Sequence, residues 1–408
     1  MKDRVTLLLA IGTAGLALSS VAAVASRSSW VGAYGNVPIG YEPTIRDALG
    51  APLQDQTVRQ IVRIGMASDA VRIRLSNELG PAPLRIGAAT FAQVDSSGNA
   101  IPTTIRPLTF NGRPDAVIAA GAPLLADVLA TKVTPGVDYA ISIYYPEVSM
   151  PPAHAQMADV APGDQTGRLS LNGSLRKRVP ALVSRIDVAA QPTARTLLAF
   201  GDSITEGAAS TPGAYMSWPD QLARLLAGER SGRCWSVLNA GISGNRLLHD
   251  GRGPGALARF DRDVLSVPGV RTVLLLEGIN DIGASAQPEH REQAVSTDEI
   301  IGAYREIIAR AHAHGIRVLG GTLLPFEGAV YFSADGEAKR QAVNAWIRSA
   351  GAFDGVIDFD MAMRDAGHAS RMSPAADSKD NLHPRDAGYA IMARIVASAL
   401  ARDACPGA

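Results

Sequence analysis

Two rhythms of apolar and polar positions divide the chain. From about Ser29 to Ile186 the apolar residues recur mostly at every second position, as in Val71-Arg72-Ile73-Arg74-Leu75, Tyr139-Ala140-Ile141-Ser142-Ile143 and Thr57-Val58-Arg59-Gln60-Ile61-Val62. Turn material separates these runs at Glu78-Leu79-Gly80-Pro81, Ser96-Ser97-Gly98-Asn99, Asn111-Gly112-Arg113-Pro114 and Pro135-Gly136. A period of two puts alternate side chains on one face, so this half predicts short antiparallel strands in an all-β sandwich or barrel. Segment 146–181 carries little strand pattern and is rich in Pro, Gly and small polar residues. It reads as a long loop able to reach across an interface.

After Gln191-Pro192-Thr193 the rhythm changes. Continuous apolar runs at 196–200, 235–240, 271–276, 316–320 and 355–359 alternate with segments of helical period. Leu222, Leu225 and Leu226 share one helix face, with Ser217 and Pro219 suited to its start. Ile300, Ile301, Tyr304, Ile307, Ile308 and Ala311 share another, expected to run from a Thr297 cap to a stop at Gly315. His312 and His314 fall in that last turn and read as a polar helix end. Strands that are apolar throughout and alternate with helices predict a parallel sheet covered on both faces. Sites in such sheets form at the carboxyl ends of the strands. The junction around Ala189-Ala190-Gln191-Pro192 is short and carries no long Gly/Ser tether, so the β-rich half is expected to pack on the α/β half and to shape access to it.

Composition narrows the function classes. At 408 residues two domains are expected. Lys+Arg and Asp+Glu both number 39, which provides no net field for nucleic acid. Lys2 and Arg4 precede an uncharged stretch, Val5 to Ala25, that ends in Ala23-Val24-Ala25. This order is that of a secretory signal cleaved after Ala25. A retained membrane anchor is the alternative, but Ser19, Ser20 and many alanines make the second half weakly apolar. The expectation is a secreted or periplasmic protein with no stable membrane insertion after cleavage. Cys234 and Cys405 could pair in such a compartment, and neither has a partner at metal-ligand spacing.

The loops that follow the predicted strands carry the polar chemistry. They are Gly201-Asp202-Ser203, then Gly241-Ile242-Ser243-Gly244-Asn245-Arg246, then Glu277-Gly278-Ile279-Asn280-Asp281, and near the C-terminus Asp380-Asn381-Leu382-His383-Pro384. Each alone reads as a turn, a helix cap or a surface residue; what weighs is their occurrence together. In this order, over roughly residues 195–400, they resemble the four blocks of the SGNH (GDSL-type) hydrolases, with Ile204 where the nominal motif has Leu. The resemblance implies a flavodoxin-like three-layer parallel sheet in residues 191–408, preceded by a β-rich domain in 26–190, which follows the signal peptide read in 1–25. It further implies a serine esterase that needs no metal or cofactor. Ser203 would be the nucleophile, His383 its base and Asp380 the group that orients the imidazole. The oxyanion hole would be the backbone N–H groups of Ser203 and Gly244 with the Asn280 side-chain amide.

A serine hydroxyl needs an adjacent base at neutral pH, and that base needs an orienting acceptor on its second nitrogen. Glycine at 244 would leave room for the acyl group. The second glycine of a G-x-S-x-G elbow is missing, which separates the pattern from α/β-hydrolases. Asp202 and Asp281 are read as structural. Arg246, His249, Thr322, Phe326, Glu327 and Tyr331 are candidates for the pocket wall, and His154 and Gln156 could reach it from segment 146–181. The expected partner is a small-molecule or glycan ester. The competing functions are deacylation of polysaccharide, acyl transfer, and carbohydrate binding by a vestigial site. The full set of Ser203, Gly244, Asn280, Asp380 and His383 speaks against the last.

Overall fold

A computed structural model describes residues 29–40, 52–152, 154–180, 182–229, 232–403 and 405. The expected signal segment, 1–25, lies outside them. The first thirteen strands are β1 Ser29–Gly35, β2 Gln56–Arg63, β3 Ser68–Ser76, β4 Leu84–Ile86, β5 Ala88–Gln93, β6 Arg106–Pro107, β7 Ala116–Ile118, β8 Pro123–Leu125, β9 Leu129–Val133, β10 Asp138–Tyr145, β11 Ala155–Pro162, β12 Leu175–Pro180 and β13 Val183–Ala190. They form antiparallel sheets. One runs β1-β13-β3-β8, with β9 also on β3, a second runs β12-β11-β2-β10-β5-β6, and β4 pairs with β7 in a small third. Val31, Ile73, Leu75, Ile186 and Val188 of the first sheet share one core with Val58, Val62, Phe91, Ile141 and Ile143 of the second. The period of two thus builds a sandwich. Segment 146–181 differs from expectation: β11 pairs with β2 and β12 pairs with β11.

A turn closed by the Ala194 N–H on the Gln191 carbonyl leads into a five-stranded parallel sheet. Its strands are β14 Arg195–Gly201, β15 Trp235–Gly241, β16 Val270–Leu276, β17 Arg317–Gly321 and β18 Gly355–Ile357, in the order β15-β14-β16-β17-β18. That is the flavodoxin-like order, with the switch point between β14 and β16. The helices are α1 Ser203–Glu206, α2 Trp218–Gly228, α3 Ala256–Phe260, α4 Ile279–Ala284, α5 Thr297–Ala313, α6 Ala334–Ser349, α7 Phe359–Met363 and α8 Asp386–Leu400. Ser217 caps α2 as expected. The cap of α5 is Ser296, not Thr297: its side chain and that of Glu299 form a capping box, which Thr297 has no matching acid to make. His312 bonds Asp354 at 2.8 Å and His314 bonds the Arg310 carbonyl at 3.0 Å, a polar helix end.

The two units are sealed together. The Gly32 N–H donates to Pro268 at 2.9 Å, the Thr196 hydroxyl to Gly32 at 3.1 Å and Arg262 to the Pro38 carbonyl at 2.9 Å. Val37, Ile39 and Ala155 from the β unit are buried in the core of the α/β unit. The Cys234 and Cys405 sulfurs are bonded, tying the edge strand β15 to the end of the chain. Among the described residues no helix is long and apolar enough to cross a membrane.

Candidate active site

Ser203 opens α1 at the carboxyl end of β14. Asp202 is the helix cap and accepts the Ile204 N–H at 2.9 Å, which turns the chain sharply out of the strand. The turn needs glycine at 201, because a Cβ there would lie 2.2 Å from the Leu276 carbonyl of the neighbouring strand. Asn239 holds the far end of α1 by donating to the Thr205 carbonyl at 2.8 Å. Ser203 itself is 6% exposed.

The loop before α8 brings the other two groups. The Asp380 carboxylate accepts the backbone N–H of Leu382 at 2.9 Å and of His383 at 2.8 Å, a self-closing turn with Asn381 at φ 61°. Its other oxygen lies 2.6 Å from His383 Nδ1. The proton therefore sits on Nδ1, and Nε2 accepts from the Ser203 hydroxyl at 2.8 Å. Burial works to raise the Asp380 pKa, but the backbone N–H and imidazole of His383 outweigh it and hold the carboxyl below its ordinary value. Asp386, at the start of α8, binds the backbone N–H and hydroxyl of Thr211 at 2.9 and 2.6 Å, fastening this loop to the segment after α1.

Gly244 has φ 72°, and a Cβ there would stand 3.1 Å from the Arg252 side chain. Backbone conformation and this neighbour therefore demand glycine, in addition to the open space for an acyl group expected from sequence. Asn280 lies in the first turn of α4. Its Nδ2 donates one hydrogen to the Asn245 carbonyl at 2.9 Å, and its Oδ1 accepts the Tyr331 hydroxyl at 3.3 Å. The amide is thereby oriented with its second N–H unspent. Among the described residues no acceptor takes the backbone N–H of Ser203 or Gly244.

Beneath these loops lies a buried ionic floor. Arg259, 1% exposed, donates to the Gly201 carbonyl at 3.0 Å, the Ala240 carbonyl at 2.9 Å and Asn245 Oδ1 at 2.8 Å, joining the ends of β14 and β15 to the glycine loop. Burial pushes Asp202 up to about 7, Asp281 up to about 6, and Glu277 well above the carboxylate range. Asp281 accepts the N–H of Leu247 at 2.7 Å and Leu248 at 3.2 Å, the structural role expected of it. Asp202 fixes its turn through Oδ1, while its Oδ2 has no partner among the described residues. No cluster of three or more His, Cys, Asp or Glu side chains among the described residues could hold a metal ion.

Residues 199–391 match the GDSL-like lipase/acylhydrolase family. This half of the chain is a GDSL-like acylhydrolase domain. Its reaction class is carboxylic-ester hydrolysis. Among solved structures it is similar to a GDSL-like lipase from Bacteroides thetaiotaomicron, at 21% identity over 51% of this chain and 89% of that one, with a TM-score of 0.40. It is likewise similar to a catalytic mutant of an acetylxylan esterase from Geobacillus stearothermophilus, at 22% identity over 50% of this chain and 92% of that one, TM-score 0.40. No curated protein matches the chain.

Around Ser203 the other candidates divide. Tyr331 reaches the site through Asn280. Arg246 is buried in its own loop, bonded to Gln293 at 2.7 Å and to the Asp250 carbonyl. Thr322 is not a pocket wall, since its hydroxyl is fully buried between Asp358 and the Asp360 N–H. Phe326 is fully buried against Tyr331 and Phe332. Glu327 is taken up by Arg371 and Ser370. His249 is half-buried in the glycine loop. His154 contacts Glu206 of α1, and Gln156 is held by Tyr34 and Gln60. Sequence reasoning missed Glu206, Asn239 and Arg259. Arg259 alone left a signal, as the one charge in the run Ala256-Leu257-Ala258-Arg259-Phe260.

Proposed function

We propose that the protein is an exported serine esterase that hydrolyses esters of short to medium acyl groups through an acyl-enzyme on Ser203. The observation that carries this reading is the unbroken line from the Ser203 hydroxyl through His383 to Asp380, at 2.8 and 2.6 Å. His383 Nε2 takes the hydroxyl proton as Oγ attacks the ester carbonyl, then returns it to the leaving alcohol. Asp380, kept anionic by its N–H partners, stabilises the imidazolium formed between those steps. The negative oxygen of the tetrahedral intermediate is received by the N–H groups of Ser203 and Gly244 and the unspent amide hydrogen of Asn280. Each such donor is worth roughly 10²–10³ in rate. Water then repeats the sequence on the acyl-enzyme. Export is supported by the basic and apolar order of residues 2–25 and by the Cys234–Cys405 bond, which suits an oxidising compartment.

The test is a panel of p-nitrophenyl acyl esters set beside acetylated xylan, with free acid measured in both. Release from the short-chain p-nitrophenyl esters is expected. Release from xylan alone would move the substrate to polysaccharide, and release from neither would overturn the reading.

A further inference from the structure

The imidazole of His154 belongs to the β unit, yet its partner belongs to the nucleophile helix. His154 is 6% exposed, and its Nε2–H donates to Glu206 Oε1 at 3.2 Å. Glu206 ends the helix that Ser203 begins. Its second oxygen accepts the backbone N–H of Ser243, the residue before Gly244. One carboxylate thus joins three things: the nucleophile helix, the glycine loop and the β unit. Burial alone would raise the Glu206 pKa, but His154 and Ser243 outweigh it and hold the carboxyl down at about 2.

His154 is well anchored on its own side. Its carbonyl accepts from Asn36 Nδ2 at 3.4 Å, and Ala155 packs into the core of the acylhydrolase domain. Two residues on, Gln156 accepts from the Tyr34 hydroxyl at 3.1 Å and from Gln60 at 2.7 Å. Gly244 is in left-handed conformation, and the Ser243 N–H lies in the peptide immediately before the one that carries the Gly244 N–H, so the backbone leading into that donor depends on how the Ser243 N–H is held. Glu206 holds it.

We infer that His154 is a positioning residue: through Glu206 it fixes the Ser243–Gly244 segment so that the Gly244 N–H faces the oxyanion. The β unit then completes the oxyanion hole without touching substrate. This inference rests on the serine-esterase reading above. A purely adhesive role for His154 predicts lost stability; a positioning role predicts a slower chemical step.

The experiment uses the full chain. For wild type, His154→Leu, His154→Gln, Glu206→Gln and the Leu/Gln double variant, kcat and KM are measured on p-nitrophenyl acetate, together with the rate at which a fluorophosphonate modifies Ser203. A misplaced group of this kind costs on the order of 10–100-fold, and in His154→Leu that loss is expected in kcat with KM little changed. Phosphonylation should slow in parallel, because its phosphoryl oxygen uses the same hole. His154→Gln, whose amide still donates to Glu206, should recover most of the rate. Glu206→Gln should lose as much as His154→Leu, and the double variant no more than either. Wild-type kcat in a folded His154→Leu protein, or a loss confined to KM or to thermal stability, overturns the inference. Should His154→Leu fail to fold, Glu206→Gln leaves the β unit untouched, and wild-type kcat there overturns it equally. A wild-type protein that neither hydrolyses the ester nor is labelled at Ser203 would refute the esterase reading itself.

Discussion

Replacing Asp202 by Asn removes a carboxyl whose pKa burial raises from 3.8 to about 7. A raised carboxyl pKa means that the folded protein keeps a proton the unfolded chain has already released. The stability from this group is therefore fully present below about pH 4 and is lost as the pH climbs through about 7. At about 1.4 kcal/mol per pH unit, a shift of three units is worth at most about 4 kcal/mol, a burden that Glu277 and Asp281 share. Glu206 and Asp380 act in the opposite sense. Their pKa values are depressed, so their contribution is present above about pH 4.5 and is lost as the pH falls through their lower folded values, about 2 for Glu206. From pH 5 to 8 the depressed carboxyls stay ionised in both states, and comparison with Asp202→Asn cancels the titrating groups that the two proteins share. Asn at 202 preserves the Oδ1 acceptor for the Ile204 N–H and puts an uncharged amide where the unpartnered Oδ2 now lies. Urea unfolding at intervals from pH 5 to 8 should show the wild type losing stability faster than Asp202→Asn, by about 2–4 kcal/mol across the window. Parallel curves for the two proteins would refute the reasoning.

Two further outcomes follow from the same geometry. Asp380→Asn should cost on the order of 10³–10⁴ in kcat with the circular dichroism spectrum unchanged, since the amide cannot hold the productive imidazole tautomer; an undiminished rate would remove Asp380 from the mechanism. The Cys234–Cys405 bond closes a loop of 171 residues, so replacing both cysteines by Ser should lower stability by up to about 5 kcal/mol, and non-reducing peptide mapping that found two free thiols would contradict it.

The α/β half was legible because its strands are apolar without interruption. The run read at 271–276 is the strand Val270–Leu276, and the polar blocks fall in the loops where a parallel sheet gathers them. Helix α6 gives little apolar signal because its inner face, Gly336, Arg340, Val343, Asn344 and Ile347, has helical spacing but carries two polar residues. Arg340 is buried against Asp360 at 2.9 Å, and Asn344 bonds both backbone groups of Leu323, so a partner elsewhere in the chain makes those positions tolerable. Strand β12, Leu175–Pro180, shows no alternation because it is an outer strand carrying Arg176, Lys177 and Arg178, with residues of both faces exposed at its start. The wall candidates Thr322 and Phe326 turn inward and are fully buried, because strand ends locate a loop, not the direction of its side chains. The pairing of His154 with Glu206 spans 52 residues and two folding units, and no local spacing announces such a contact.

The central claim is that Ser203 carries the acyl group. A fluorophosphonate, which reacts only with a serine whose proton is taken and whose oxyanion is received, measures this directly. Mass mapping should find one adduct, on the peptide containing Ser203, and Ser203→Ala should show neither adduct nor ester hydrolysis while keeping the wild-type unfolding transition. An adduct on another serine, or hydrolysis surviving in Ser203→Ala, would contradict the account.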